Sequence, residues 1–348
     1  MNGLSLFANV GIGETYTHLY NLHIKVANEL LEDRVAFYKH LHPDTDMICG
    51  DIKDFKVKKQ VIDKAIEHKC NFILATPPCQ GMSLAGRKAS EDERNLLIID
   101  AVEVILAVSP AFVIIENVPP ALKTKIAVDN CAVTIPDFLK QRLGEIYKIN
   151  YRVLDAADYG TPQSRKRAIF LLSKHEYGEW QFPKKQSRIT LDEVIRHLPS
   201  LEAGDKSEVK FHNAKNHNER HIECMKHTPT GKSAFENEVY YPKRPDGQRV
   251  SGYITTYKRM DWDKPAPTIT MGNGSISSQN NVHPGRPNDD GTYSDARVLT
   301  LKELFILTGL PETWEPPEDA NEMLTRKVIG ECLLPRLVEE LIKTMPKL

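Results

Sequence analysis

Between residue 3 and about residue 172, short apolar runs alternate with helical stretches, and this alternation limits the possible folds more than any other feature. Strands that alternate with helices build a mainly parallel sheet covered by helices on both faces. We therefore expect a doubly wound α/β domain over residues 1–172. The predicted strands lie near 4–8, 23–28, 47–49, 72–75, 112–116, 152–156 and 168–172, and the clearest helices at 93–108 and 135–147.

From about residue 173 to residue 296 the alternation stops, and Pro, Gly, Asn, His and Tyr become frequent. The stretch 272–281 is polar and rich in chain-breaking residues, which indicates loops. We expect a smaller, loop-rich domain at 173–296. Helical periodicity returns at 299–307 and 324–342, so residues 297–348 are predicted to return to the first domain, with the last helix packing on it.

The composition excludes several classes of protein. The formal charge is −1 over 348 residues, so composition alone does not indicate a nucleic-acid partner. The six cysteines contain no C-x-x-C pair, which disfavours a disulfide framework or a zinc ribbon and fits a reducing, cytoplasmic setting. The sequence lacks an apolar run of membrane-spanning length, and its first residues lack the features of a signal peptide.

One thiol is placed where a nucleophile is expected. Residues 72–75 read as a buried strand, and Pro77 and Pro78 end it immediately before Cys79. Open α/β sheets form their ligand crevices at the carboxyl ends of strands. Cys79 is therefore a candidate nucleophile, although a buried packing cysteine is the common alternative.

Three consecutive strands end in groups that suit a nucleoside cofactor. The first runs into a turn that contains Gly11 and precedes a helix, the second ends at Glu29, and Asp51 closes the third. Glycine allows close backbone approach, and an acid at the second strand end commonly binds ribose in such folds. The glycine turn alone is a weak signal, but the three together predict nucleoside binding.

An acid and two arginines follow further along the chain. Glu116 lies at the mouth of a buried strand, where it can act as a proton donor or remain a satisfied carboxylate. Arg165 and Arg167 occupy alternating positions of a strand, so they should share one face. Their forked donors suit carbonyl or phosphate oxygens, and a solvated sheet edge is the alternative.

A metal site is a further possibility that the sequence raises. His217, His221, Cys224 and His227 have ligand-like spacings. They fall in a polar region on a predicted surface helix, without a second ligand pair nearby. We therefore expect no metal.

Taken in order, these stretches resemble the cytosine-C5 DNA methyltransferases over nearly the whole chain. The turn at 5–13 resembles that family's cofactor loop, 78–80 its nucleophile motif, 116–118 its acid motif and 163–167 its Gln-x-Arg-x-Arg motif. Residues 92–97, 297–303, 308–311 and 330–335 are similar to further family segments. Ser5, Asn9, Ile12, Leu30 and Glu331 depart from the family pattern, and all of them fall around the cofactor.

The resemblance implies a Rossmann-like fold that binds S-adenosylmethionine, releases S-adenosylhomocysteine and methylates C5 of a cytosine flipped out of duplex DNA. Cys79 would add to C6, Glu116 would hold N3 and the exocyclic amine, and Arg165 would hold O2, with Arg167 in the same motif. The implied cofactor-binding residues are Phe7, Asn9, Gly11, Ile12, Glu29, Leu30, Asp51, Ile52, Pro78 and Leu97.

The resemblance also places DNA contacts in two regions. Gln80, Ser83 and Arg87 would belong to a loop that closes over the flipped base. In the region 173–296, basic residues interleaved with tyrosines are the candidates for phosphate and groove contacts. They are Lys243, Arg244, Arg249, Tyr257, Lys258 and Arg259.

The expected setting is a prokaryotic restriction–modification system. We expect a monomer that acts on double-stranded DNA, with its endonuclease encoded nearby but not bound. An orphan or phage enzyme would look the same. The alternatives are a related enzyme acting on tRNA, a catalytically silent DNA-binding regulator and a dinucleotide-dependent oxidoreductase.

Overall fold

The computed structural model describes residues 1–78, 96–128 and 131–348. The predictions for Cys79, Gln80, Ser83 and Arg87 fall outside the described residues. All of the other candidate site residues lie inside them.

The centre of the molecule is a seven-stranded sheet with the strand order β3-β2-β1-β4-β5-β9-β8. The first five of these strands are mutually parallel, β9 is antiparallel to β5, and β8 is antiparallel to β9. This confirms the predicted mainly parallel α/β sheet. Its strands are β1 (Asn2–Leu6), β2 (His23–Glu29), β3 (Asp46–Cys49), β4 (Cys70–Ala75), β5 (Phe112–Asn117), β8 (Tyr147–Asp155) and β9 (Lys166–Lys174).

A separate antiparallel pair, which the sequence pattern did not predict, lies between β5 and β8. It consists of β6 (Lys125–Val128) and β7 (Cys131–Thr134). Both strands are only four residues long and largely exposed, so they lack the apolar run that identified the sheet strands.

The helices mostly follow the predicted positions. The helix expected at 135–147 ends at Leu143, because β8 begins at Tyr147. The single helix expected at 324–342 is two helices, since Pro335 begins a new one. The helices are α1 (Glu32–Leu41), α2 (Phe55–Glu67), α3 (Leu97–Val108), α4 (Ile135–Leu143), α5 (Leu191–Ile195), α6 (Glu219–Lys226), α7 (Leu301–Thr308), α8 (Glu322–Glu331) and α9 (Pro335–Lys343). Within the described ranges, no helix has the length and apolar character needed to cross a membrane.

Two apolar clusters cover the two faces of the sheet. Helices α2, α3 and α4 contribute to one cluster, and α1, α5, α7, α8 and α9 contribute to the other. The central strands are therefore buried on both sides, which is why they read as continuous apolar runs. Leu337, Val338 and Leu341 of α9 share a cluster with Phe72 and Ile114, so the last helix packs on the sheet.

The region 173–296 contains little regular structure among its described residues. Besides α5 and α6 it has isolated bridges and a small apolar cluster that includes Met225, Ile276 and Val282. Trp180 and Trp262 instead join the cluster on the sheet. Parts of this region therefore belong to the core of the first domain.

A cluster of buried charged side chains connects this region to α7. Arg297 is fully buried and donates from Nη2 to Asp295 Oδ1 at 2.8 Å and from Nη1 to Glu303 Oε2 at 2.9 Å. His283 lies between the two carboxylates, 3.8 Å from Asp295 Oδ1 and 3.6 Å from Glu303 Oε1. Removal of one member would leave an uncompensated buried charge, which is strongly destabilising.

This cluster makes folding sensitive to acid. Burial alone would raise the pKa of Glu303, but the Arg297 charge, His283 and hydrogen bonds lower that pKa to about 2. Burial, together with Arg297, lowers the pKa of His283 to about 3. In both cases the unfolded chain binds the proton more readily, so stability is present above the unfolded pKa values and is lost as pH falls from about 6.5 toward 3.

We predict that the urea midpoint falls steadily over this pH range. Glu303→Gln should lower stability at neutral pH by about 3 kcal/mol and flatten the profile below pH ~4.5. Glu315→Gln, at an exposed carboxylate that pairs with Lys210, is the matched control and should leave the profile unchanged. Urea titrations from pH 3 to pH 7 test this, and an unchanged profile in the Glu303 variant would contradict it.

Candidate active site

The carboxyl ends of the parallel strands meet at one edge of the sheet. In the register, Leu6 of β1 pairs with Asn28 of β2 and with Ala75 of β4, and Ala75 aligns beside Ile115 of β5. The residues that follow these strands therefore converge. This edge is where open α/β sheets bind ligands.

The loop after β1 repeatedly adopts the left-handed backbone conformation. Phe7, Asn9 and Gly11 have φ angles of 58°, 51° and 75°. Asn is one of the few residues that tolerate this region, so the Gly-to-Asn departure at position 9 keeps the turn. A Cβ at Gly11 would lie 2.3 Å from His42 Nε2, so only glycine fits there. The φ angle of Ile12 is not positive, so this position does not require glycine.

Glu29 is fixed at the end of β2 by backbone amides. Its Oε2 accepts from Asn9 N at 2.9 Å, and its Oε1 accepts from Leu30 N at 2.9 Å and Leu31 N at 3.1 Å. A carboxylate offers about four acceptor sites, so capacity remains for a further donor such as a ribose hydroxyl. The predicted cofactor acid is therefore held in place with room for a ligand.

The other predicted cofactor residues lie around Glu29 and the β1 loop. Gly50 N donates to Glu29 O at 3.0 Å, which brings Asp51 and Ile52 to this edge. Leu30 is 57% exposed and can cover a bound ring, while Ile52 and Leu97 are buried in the cluster on which Phe7 packs. Thr76 Oγ1 donates to Phe7 O at 3.0 Å and joins the segment leading to Pro78 to the same loop. These residues suit a nucleoside cofactor.

Arg34 is a functional candidate that the sequence reasoning missed. Its Nη2 lies 2.6 Å from Glu331 Oε2, which also accepts from Asn9 Nδ2 at 3.4 Å. Burial raises the pKa of Glu331, and Arg34 acts in the opposite direction. A cation in the first turn of a helix opposes the helix dipole, and that position could have drawn attention to Arg34.

Glu116 lies at the end of β5, nearly buried, beside Arg167. Arg167 Nε is 2.6 Å from Glu116 Oε1. The neighbouring Asn117 donates from Nδ2 to Pro77 O at 3.2 Å, so the segment that leads to Cys79 is held against β5. Pro78 is the last residue described before Cys79. An acid and a guanidinium together can hold a planar ring with adjacent amine, imine and carbonyl groups.

The side chain of Arg165 hydrogen-bonds to backbone carbonyl groups. Its side chain is 3% exposed, with Nη1 donating to Ile269 O at 2.8 Å and Nη2 donating to Gly330 O at 3.0 Å. The terminal nitrogens thus bind backbone carbonyls of two other segments, whereas Arg167 faces the acid. Gln163 also bonds backbone, donating to Leu307 O at 3.2 Å.

Three of the predicted DNA contacts lie together on an exposed hairpin at 242–250. Lys243 pairs with Arg249 across the hairpin, and Arg244 is at the turn. The Lys243 ammonium and the Arg249 guanidinium lie 4.8 and 4.3 Å from the centre of the Tyr241 ring. This arrangement presents cations and an aromatic surface to solvent, as phosphate-binding surfaces do.

Two of the predicted DNA contacts, Tyr257 and Arg259, are buried. Arg259 is fully buried and donates to the carbonyl oxygens of Met225, His283 and Asp295. Tyr257 is also buried, and its hydroxyl group lies 3.1 Å from His221 Nε2. In a region with little regular structure, buried carbonyl groups need side-chain donors, and Arg259 supplies several.

A cleft of about 890 Å³ is lined by Pro119 and Lys166 and, from the region 173–296, by Pro267 and Asn280. A smaller adjoining pocket contains Lys258, which is half-buried. Basic residues line both spaces, namely Lys123, Lys166, Arg188, Lys258, Arg259 and Lys264.

The four residues considered for a metal have separate roles. His217 Nε2 accepts from Val298 N, His221 faces Tyr257, and His227 stacks on Tyr240. Cys224 is buried in an apolar cluster. In the part of the chain that the structure describes, no group of three potential ligands is close enough to hold a metal ion.

A family model described as C-5 cytosine-specific DNA methylase matches residues 1–347. The chain belongs to this family. The resemblance stated from the motifs is thereby confirmed, and the oxidoreductase alternative is wrong. A methylase of this family uses S-adenosylmethionine, which agrees with the residues found at the strand ends.

Relatives of known name support the same assignment. The methylase is 48% identical over 346 residues to Type II methyltransferase M1.HgaI of Avibacterium volantium, with 98% of this chain and 97% of the relative covered. It is 28% identical to Type II methyltransferase M1.HphI of Haemophilus parahaemolyticus, over 91% of this chain and 82% of the relative.

Solved structures show the same fold. The methylase matches a prophage-encoded E. coli protein described as a DNA modification methyltransferase, with a TM-score of 0.72 and 17% identity over 99% of this chain and 98% of that one. It also matches Spodoptera frugiperda DNMT2, with a TM-score of 0.64 and 16% identity over the same shares of the two chains.

The contrast between exposed Arg249 and buried Arg259 gives a test of the predicted DNA contacts. The double variant Lys243→Ala/Arg249→Ala should weaken binding to duplex DNA. Because two phosphate contacts are lost, the slope of log K against log salt concentration should become shallower by about 2. Arg259→Met should instead lower the unfolding midpoint, because several buried carbonyl groups lose their donor. Salt titrations of DNA affinity and urea melts measure the two effects, and a hairpin variant with unchanged affinity would contradict the first.

Proposed function

We propose that this DNA methylase recognises a specific duplex sequence, flips out one cytosine and methylates its C5, and that it protects host DNA in a Type II restriction–modification system. The Glu116–Arg167 pair, at the sheet edge that also carries the cofactor loop, is the observation that carries the proposal. The names of the relatives at 48% and 28% identity support the restriction–modification setting.

The chemistry requires a nucleophile, because C5 of cytosine is unreactive in the intact ring. Cys79 as a thiolate adds to C6, and the displaced electron pair makes C5 nucleophilic. S-Adenosylmethionine supplies an electrophilic methyl group on sulfur. After C5 is methylated, a base removes its proton and the bond between C6 and Cys79 breaks. The thiolate leaves unchanged.

Glu116 and Arg167 hold the base while charge develops on it. Glu116 contacts N3 and the exocyclic amine, and its proton stabilises the electron-rich ring at N3. Arg167 lies beside Glu116 at 2.6 Å, so we assign it the O2 carbonyl. Arg165, whose terminal nitrogens bind Ile269 O and Gly330 O, becomes a positioning residue for that pair.

The cofactor residues hold S-adenosylmethionine and release S-adenosylhomocysteine. Glu29 would bind the ribose, Asp51 and Ile52 would contact the adenine, and Leu30 would cover it. The remaining loop and strand-end residues, from Phe7 to Ile12 with Pro78 and Leu97, would hold the rest of the cofactor. This assignment is supported by the amide bonds that fix Glu29 and by its remaining acceptor capacity.

DNA lies in the cleft between the sheet and the region 173–296, which acts as the recognition domain. The exposed hairpin with Lys243, Arg244 and Arg249 contacts the backbone, and Lys258 lines the cleft. Gln80, Ser83 and Arg87 contact DNA near the flipped base. Flipping costs a few kcal/mol, which these contacts offset. The enzyme acts as a monomer in the cytoplasm, without bound endonuclease.

We predict that Cys79→Ala abolishes methyl transfer but leaves DNA binding and the unfolding midpoint unchanged. The measurement is transfer of labelled methyl from S-adenosylmethionine to unmethylated duplex DNA, with 5-methylcytosine identified in the product. Transfer RNA is tested in parallel. Turnover by the alanine variant would refute the assignment of Cys79 as the nucleophile. Label on tRNA alone would refute the assignment of DNA as the substrate.

The two arginines give a matched pair of variants. Arg167→Lys should lower kcat by about 100-fold with little change in stability, because one forked donor to the base is lost. Arg165→Lys should lower the urea midpoint, because it replaces a guanidinium that bonds two buried carbonyls. Suppose that the two variants have equal urea midpoints and that Arg165→Lys lowers kcat more than Arg167→Lys does. The assignment of Arg167 as the residue that binds the O2 carbonyl would then be wrong.

A further inference from the structure

Two neighbouring apolar side chains are exposed on one turn of the region 173–296. Tyr253 is 78% exposed and Ile254 is 57% exposed. Thr256 closes the turn, because its N and its Oγ1 both donate to Tyr253 O, at 2.9 and 2.8 Å. Single exposed apolar residues are common on protein surfaces, whereas this pair is adjacent and carried by a hydrogen-bonded turn. We call Tyr253 and Ile254 the apolar tip.

Neighbouring segments hold the turn that carries the apolar tip. Ser233, which is buried, donates from Oγ to Thr256 O at 2.9 Å. A Cβ on Gly252 would lie 3.0 Å from Phe235 Cζ, so the chain passes close to that ring just before the tip. Because packing fixes the backbone of the turn, a ligand that contacts the tip has little loop ordering to offset.

The apolar tip is connected to the cleft on one side and to the exposed hairpin on the other. Asn280, which lines the cleft and the adjoining pocket, donates from N to Thr255 O at 2.7 Å. Arg249 of the hairpin donates from Nη2 to Phe235 O at 2.6 Å, and the Phe235 ring lies against Gly252. The tip therefore belongs to the same surface as the candidate phosphate contacts.

The charge pattern indicates which part of DNA this turn faces. The sequence has no charged residue between Arg249 and Lys258. Under the proposed function, Arg249 contacts the DNA backbone and Lys258 lines the cleft that holds the duplex. The phosphates form the two rims of a groove, and the base edges lie between them. An uncharged segment with a phosphate-binding cation on each side therefore faces base edges.

We propose that Tyr253 and Ile254 enter the major groove and read a thymine through its C5 methyl group. This inference rests on the proposed function and names the chemistry that the recognition domain reads at one position. The side chain of Ile254 and the ring face of Tyr253 have no hydrogen-bonding group for a base edge, so they select for apolar surface. The thymine methyl is the apolar group that base edges present in the major groove. Contact with the tip removes this methyl group and Ile254 from water.

The test removes the methyl group from the DNA and its partner from the protein. Bisulfite sequencing of plasmid DNA methylated by the wild type first maps the recognition site. Duplexes that contain the site are then made with each thymine replaced in turn by deoxyuridine, which lacks only the C5 methyl group. The value of kcat/KM for methyl transfer is measured for the wild type, Ile254→Ala and Tyr253→Ala. Ile66→Ala is the matched control, since Ile66 is 55% exposed and lies on α2.

Deoxyuridine at one position should lower kcat/KM of the wild type by about three- to tenfold. Ile254→Ala and Tyr253→Ala should no longer distinguish thymine from deoxyuridine there, with urea midpoints unchanged, whereas Ile66→Ala should behave as the wild type. A recognition site without an A·T pair would overturn the inference but leave the proposed methylation in place. So would a wild type indifferent to every replacement, or discrimination retained in either tip variant. Absence of methyl transfer to DNA by the wild type would refute the proposed function and this inference with it.

Discussion

The position of β1 between β2 and β4 is the constraint on which the site depends. Because these strands are parallel and in register, their carboxyl ends supply the β1 loop, Glu29 and the segment before Cys79 at one edge. The strands are buried on both faces, so a shift of one residue would move each side chain into the opposite apolar cluster and disrupt the packing of both. The proposed cofactor site and the proposed base site are therefore positioned by the same packing.

Buried arginines stabilise the parts of the chain that lack regular structure. Arg165, Arg259 and Arg297 are all buried, and each donates to backbone carbonyl oxygens from distant segments. A guanidinium has five donors in a fixed plane, so one residue can replace several ladder hydrogen bonds. These arginines thus supply backbone carbonyl groups of the loop-rich region with the hydrogen bonds that neighbouring strands supply in the sheet.

The sequence predicted the sheet well because fully buried strands leave an unambiguous apolar signature. The Glu29 and Glu116 positions followed from strand ends and were also predictable. The burial of Arg165, Arg259 and Tyr257 was not, because burial of a charged or polar side chain in a loop depends on which distant groups surround it. Arg34 was missed for a related reason: its partner, Glu331, lies almost three hundred residues away, and no local pattern joins them.

The backbone bonds made by the buried arginines have an evolutionary consequence. A carbonyl oxygen is present at every residue, so the scaffold of the region 173–296 does not depend on most of the side chains that it carries. Arg259 and Arg297 bond to backbone carbonyl groups, so an exposed position such as Lys243 can be exchanged without removing an acceptor of either. Under the proposed function, a lineage can thus acquire a new DNA target by substitution on the surface, while the machinery that performs the methylation is inherited intact.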